Sequence, residues 1–270
     1  MDSRQDGPHG AAVIAEDFGL KGARGWAFRH VRVDAAPGTV VAIEGPSGSG
    51  RTCLLLALTG RMRPTEGRAE IAGLPLPRAM AAVRRISGLG HVPGVSDLDP
   101  ALTVAEHLRE RALLQRRFGG SPWALRPRAQ RAAEARGRID AALTAAGLDI
   151  SALPKGERTS VRDLERLEAL RLSVALALIG RPRLLAVDDL DLKLSDADRA
   201  EAWRLLRSVA EDGTTVAAVC GQAPEPPGTP GAAGAPENAD TVIRGGGPAT
   251  VIIRTNEEGA ADALAETGRA

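Results

Sequence analysis

Apolar positions in the first part of the chain recur with a period of two. Residues 12–18 and 30–34 read as strands, the second (His-Val-Arg-Val-Asp) with clean alternation of apolar and polar side chains. Residues 39–44, Thr-Val-Val-Ala-Ile-Glu, are a continuous apolar run rich in β-branched side chains, which predicts a buried strand. Residues 53–58, Cys-Leu-Leu-Leu-Ala-Leu, continue as a buried helix. Residues 70–74 read as a short, edge-like strand with a glycine turn, and residues 84–92 have room for another strand.

From Thr103 the period lengthens to that of a helix. Thr103 can cap a helix over residues 104–114, and residues 126–146 form a second helical zone stopped by Gly147. A long helix is expected over residues 163–179, ending at Gly180 with Pro182 just beyond. Residues 183–187 form an apolar strand that ends in two carboxylates, Asp188 and Asp189. Residues 201–210 are an amphipathic helix and residues 214–220 another buried strand. Residues 222–239 are packed with Pro, Gly and Ala and are expected to be a flexible loop. Strands at 241–244 and 249–254 and a short helix at 261–265 close the pattern, and residues 1–11 are expected to be disordered.

The chemistry concentrates between the strand at 39–44 and the helix that follows it. Gly45, Pro46, Ser47, Gly48, Ser49, Gly50, Arg51 and Thr52 spell a phosphate-binding loop, G-x-x-x-x-G-K-[ST], with arginine in place of lysine. The glycines let backbone N–H groups turn inward toward phosphate oxygens, and the following helix adds its positive end. The Thr52 hydroxyl is placed to coordinate Mg²⁺. Asp188, at the end of a second apolar strand, would hold the same ion, and Asp189 lies where a general base for an attacking water belongs.

Composition narrows the field. A chain of 270 residues can bury a full core and suggests one large domain or one domain with a subdomain. Net charge is +1 and only 2% of residues are aromatic, so nucleic acid is not an expected partner. Of 35 basic residues only Lys21, Lys155 and Lys193 are lysine, so arginine at position 51 is the cation this chain uses by default. It is not an isostere: guanidinium is planar and wider than ammonium. Cys53 and Cys220 both fall in apolar elements and read as reduced core residues. No apolar run is long enough to span a membrane. The polar N-terminus, with Asp2, Arg4 and Asp6, lacks a signal-peptide core, so a cytoplasmic location is expected. Nine arginines lie between Arg109 and Arg138, either a solvated helical face or a docking surface.

Over residues 13–254 the chain resembles the ATP-binding subunit of ABC transporters. The resemblance rests on the loop at 45–52, the stretch at 100–108 and the run at 175–189. It implies an α/β fold: a P-loop NTPase three-layer core of ABC ATPase type, with an N-terminal antiparallel β subdomain and a helical subdomain at about residues 100–170, the whole spanning 12–254 and followed by a tail at 255–270. It implies ATP and Mg²⁺ as cofactors, a second ATP-binding subunit and an integral membrane partner at the inner face of the cell membrane.

The chain departs from that family's pattern at several positions. The L-S-G-G-Q signature falls on Leu164, Glu165, Arg166, Leu167 and Glu168, where only the leucine survives. Gly94 stands near the expected glutamine, Asp189 replaces a glutamate, and Gly221 replaces a histidine. Residues 190–194 lack the usual Pro-Thr-Ser/Ala pattern. Lys21 or Gly22 occupies the place where adenine is usually stacked, with Phe18 and Trp26 flanking it. The resemblance therefore implies an ATP-binding transporter subunit with weak or absent hydrolysis. The alternative is a catalytically inactive pseudo-ATPase that regulates or scaffolds a partner.

Overall fold

The computed structural model describes residues 9–23, 25–118, 128–191, 193–224 and 250–255. Strands β1 (Val13–Gly22), β2 (Gly25–Ala35), β4 (Glu66–Ile71) and β5 (Leu74–Leu76) form an antiparallel sheet in the order β2-β1-β4-β5. Strands β3 (Val40–Glu44), β6 (Ser87–Leu89), β7 (Leu184–Val187), β8 (Thr215–Cys220) and β9 (Thr250–Arg254) form a parallel sheet in the order β6-β7-β8-β3-β9. The α-helices among the described residues are α1 (Arg51–Leu58), α2 (Met80–Ile86), α3 (Val104–Phe118), α4 (Arg128–Ala145), α5 (Arg166–Leu178) and α6 (Asp196–Glu211).

Strands β3, β7 and β8 are apolar over most of their length because both faces are covered. Their side chains alternate between two cores. Val40 and Ala42 of β3, Leu185 and Val187 of β7, and Val216, Ala218 and Cys220 of β8 face α3 to α6. Val41 and Ile43, Leu184 and Ala186, and Ala217 and Val219 face α1 and the antiparallel sheet. A sheet thus lies between a helical layer and a layer of helix and sheet, the three-layer α/β arrangement expected of a P-loop NTPase.

Several boundaries differ from the sequence pattern. The edge-like strand at 70–74 is a hairpin: β4 is an interior strand, and β5 is the edge, across a turn at Ala72 and Gly73 with positive φ of 53° and 75°. Residues 84–86 belong to α2, and the strand shrinks to three residues. The helix expected from residue 163 starts at Arg166. Asp163 ends a 3-10 turn, and Leu164 and Glu165 are extended. The Glu165 N–H then donates to the Glu168 carboxylate at 2.8 Å. Helix α6 begins at Asp196, earlier than its apolar period suggests, because Ser195 Oγ accepts from the Asp198 N–H at 3.1 Å. Thr103 caps α3 as expected, with its own N–H donating to Glu106 at 2.7 Å.

Residues 9–11, expected to share the disorder of the N-terminus, are tied to the core instead. Ala11 N–H donates to the Arg183 carbonyl at 2.9 Å, and Thr215 Oγ1 donates to the Ala11 carbonyl at 2.7 Å. The rest of the expected disordered tail, most of the loop at 222–239, the strand at 241–244 and the helix at 261–265 lie outside the described residues.

Candidate functional site

Glu44 ends β3 beside Cys220 of β8 and Arg254 of β9. Residues 45–50 then wrap from the strand into α1. The Ser49 N–H and hydroxyl both donate to the Pro46 carbonyl, at 3.3 and 2.8 Å, closing the loop on itself. Ser49 also shares a 2.6 Å hydroxyl–hydroxyl hydrogen bond with Thr255, just past β9. Two glycines are sterically obligatory. A Cβ on Gly50, at φ 80°, would lie 1.7 Å from the Ala27 carbonyl oxygen of β2, and one on Gly45 would lie 2.4 Å from Thr255 Oγ1. Gly48 (φ 86°) has open space around it. Pro46, Ser47 and Gly48 form an exposed crown, above a helix end whose first N–H groups have no intrahelical acceptor. The N–H groups left free at this helix end are donors suited to an anion.

Behind the loop, Thr52 Oγ1 donates to Asp188 Oδ2 at 2.7 Å, and the Asp189 N–H donates to Asp188 Oδ1 at 2.9 Å. Asp188 is 1% exposed. Burial pushes its carboxyl above the ordinary value, against the pull of the two hydrogen bonds. A buried hydroxyl–carboxylate pair of hard oxygen donors at a phosphate loop fits a Mg²⁺ ion that keeps water and phosphate oxygens as its other ligands. Among the described residues no cluster of three or more His, Cys, Asp or Glu side chains could hold a metal alone.

Arg51 does not point along the loop. Its Nη1 donates to the Cys220 carbonyl at 2.5 Å, bridging α1 to the end of β8. Asp189, held at φ 49°, lines a cavity of about 460 Å³ together with His91, Asp97, Arg162 and Arg166. The His91 carbonyl accepts from the Asp188 N–H at 2.7 Å. Its imidazole is held below the usual range, first by burial and then by Arg166.

Known proteins resemble this chain in sequence and fold. The family model described as ABC transporter matches residues 28–190. The chain belongs to the ABC transporter family. Similar relatives are the Nod factor export ATP-binding proteins I of Cupriavidus metallidurans, 34% identical over 69% of this chain and 57% of that one, and of Paraburkholderia xenovorans, 32% identical over 67% and 53%. The chain spans about half the length of these curated relatives. Its fold is also that of a dimeric bacterial ABC transporter cassette (TM-score 0.60, 22% identity, 78% of this chain and 88% of that one). The cbiO1 structure from Clostridium perfringens matches with TM-score 0.62 and 20% identity over 78% of each chain.

The departures from the ABC transporter pattern have visible local roles. Glu165 and Glu168 build the start of α5, so the signature position is an ordinary capped helix. Gly94, at φ 74°, turns the chain and donates its N–H to Asp97 at 2.7 Å. The Gly221 N–H donates to Asp191 Oδ2 at 2.6 Å, and Asp191 Oδ1 faces Arg199 Nε at 3.5 Å. Phe18 is fully buried against Phe28, with ring centroids 5.6 Å apart. Lys21 Nζ covers the Trp26 ring at 5.6 Å. Sequence reasoning missed His91 and Asp191: the first was absorbed into a strand, and the second was read only as a departure from the pattern.

Proposed function

We propose that this chain is an ATP-binding subunit of an ABC-type transporter that holds Mg-ATP through its P-loop with weak or absent hydrolysis. The observation that carries the reading is the Thr52–Asp188 pair set directly behind the glycine loop. The loop amides of residues 48 and 50–52 would bind phosphate oxygens, and Thr52 and Asp188 would hold Mg²⁺, which supplies charge neutralisation when bound. Asp189 would be the base.

Slow chemistry follows from the neighbours. Arg51 is engaged with the Cys220 carbonyl. Asp189 carries an arm one methylene shorter than the glutamate of the pattern, and a base must be placed within hydrogen-bond reach of its water. Gly94 and Gly221 offer no side chain to orient that water. In the dimer, Glu165 and Arg166 would present helix side chains to the partner's site instead of close backbone. The expected partners are a second ATP-binding subunit and an integral membrane protein, which would hold this chain at the inner face of the membrane. No helix among the described residues is long and apolar enough to cross a bilayer itself. The Arg51–Cys220 contact also supports a second reading, a pseudo-ATPase that regulates or scaffolds a partner.

The test is ATP turnover by the purified chain with Mg²⁺, alongside a thermal shift with Mg-ATP. Background turnover with a shift that Gly48→Asp abolishes supports the reading. Robust turnover overturns the impaired-hydrolysis part, and no shift at millimolar ATP overturns nucleotide binding.

A further inference from the structure

A second cavity, of about 650 Å³, lies where α4 crosses the C-terminal ends of α5 and α6. Pro182 and Thr214 line it, and they stand just before β7 and β8. The P-loop follows β3 in the same parallel sheet, so the two sites are at opposite ends of the strands. The volume is that of a small-molecule site.

One face of α4 builds the cavity wall. Arg138, Ala141, Ala142 and Ala145 recur at i, i+3, i+4 and i+7, which puts a cation one turn before a row of methyl groups. The alanines leave room that larger side chains would fill. Opposite them stand Leu178 and Ile179 at the end of α5 and Val209 of α6. These groups make an apolar chamber with a guanidinium at one end of its helical wall.

The cation is not matched inside the chain. Arg138 Nε is buried without a hydrogen-bond partner. No acid among the described residues pairs with Arg138 or with Arg181, which lines the same cavity and is held at φ 49°. The Thr214 hydroxyl is occupied, sharing a 3.2 Å hydrogen bond with His9 Nε2. A buried guanidinium donor without an acceptor costs free energy that an anionic ligand would recover. Asp212 also lines the cavity, so a head group with one negative charge is favoured over a dianion such as a phosphate monoester.

We propose that this cavity binds a small amphipathic carboxylate, its hydrocarbon part against Ala142, Ala145 and Val209 and its head on Arg138. The ligand would bridge α4 to α5 and α6, and binding would stabilise the native chain. The site is independent of the nucleotide reading above.

Calorimetric titration of the purified chain with octanoate tests it, against octanamide, which lacks the charge, and acetate, which lacks the chain. The variants are Arg138→Gln and Ala145→Leu, each checked for folding by circular dichroism. Octanoate is expected to bind wild type about tenfold or more tightly than either control does. Arg138→Gln is expected to weaken octanoate by about tenfold and to leave octanamide unchanged. Ala145→Leu, which fills the chamber, is expected to weaken both. No binding at millimolar octanoate overturns the proposal. So does octanamide binding as tightly as octanoate, which would show apolar partition alone. Octanoate affinity that neither variant moves places the ligand elsewhere and overturns it too. If Ala145→Leu does not fold, the three ligands and Arg138→Gln still decide.

Discussion

The Thr52 hydroxyl donates to the Asp188 carboxylate across 2.7 Å and so ties the first turn of α1 to the end of β7. The acceptor is a buried charge with a raised pKa, so the bond compensates part of its desolvation. Thr52→Val is expected to lower stability by about 1–3 kcal/mol, the cost of leaving such a group without its donor, as measured by urea unfolding. Asp188→Asn removes the charge that burial disfavours. That variant is expected to be at least as stable as wild type without Mg²⁺, and to lose the Mg²⁺ dependence of nucleotide binding.

Gly48 and Gly50 share a left-handed backbone but not a steric environment. Gly48→Ala, with nothing near its new methyl, is expected to cost about 1–2 kcal/mol of conformational strain. Gly50→Ala drives its methyl into the Ala27 carbonyl and is expected to cost more than about 3 kcal/mol or to prevent folding. Equal costs in chemical denaturation would contradict the packing of β2 against the loop.

Cys220 is 1% exposed, and its thiol is pushed up to about 12 by burial, Asp191 and Glu44. A group whose native pKa exceeds its unfolded value contributes stability that is whole below the unfolded value and is lost as pH rises toward the native one. The window is pH 9 to about 12. Within it this thiol alone is expected to remove up to about 1.4 kcal/mol per pH unit. Cys220→Ser or Cys220→Ala should flatten the alkaline limb of a stability–pH curve. Thiol labelling at pH 8 should spare Cys220 until the chain unfolds.

The start of α5 is stabilised by the residues that stand in place of the signature. The triple change Glu165→Ser, Arg166→Gly, Leu167→Gly is expected to lower stability by roughly 2 kcal/mol, about 1 for each glycine placed in the helix. It should not raise ATP turnover, because Arg51 and Asp189 are unchanged. A clear rise would mean that the signature position alone limits hydrolysis.

What could be read from the sequence follows from how far each interaction reaches along the chain. Strands β3, β7 and β8 are legible because burial on both faces leaves an uninterrupted apolar run. The pairing of Thr52 with Asp188 is legible because the phosphate loop and the acid-ended strand are local patterns with a shared chemistry. The start of α5 was misplaced because Asp163, Glu165 and Glu168 all suit a helix start, and only the extended Leu164 and Glu165 decide among them. Helix α6 begins in a polar stretch where a period search finds nothing, yet Ser195 and Asp198 define its cap. The destination of Arg51 was not legible at all. It depends on the register that sets Glu44 beside Cys220, a relation between strands well over a hundred residues apart.

Among the described residues strand β9 is the last of the parallel sheet, against β3, and the Thr255 hydroxyl beyond it bonds Ser49 inside the loop. Its only covalent link to β8 runs through residues 221–249. That link makes docking of β9 an intramolecular step. Cleavage there would convert it to a bimolecular one, and a freed peptide at micromolar levels would leave the wall of the loop behind Gly45 unbuilt. The wall of the loop is thus built by a residue two hundred positions further along the chain.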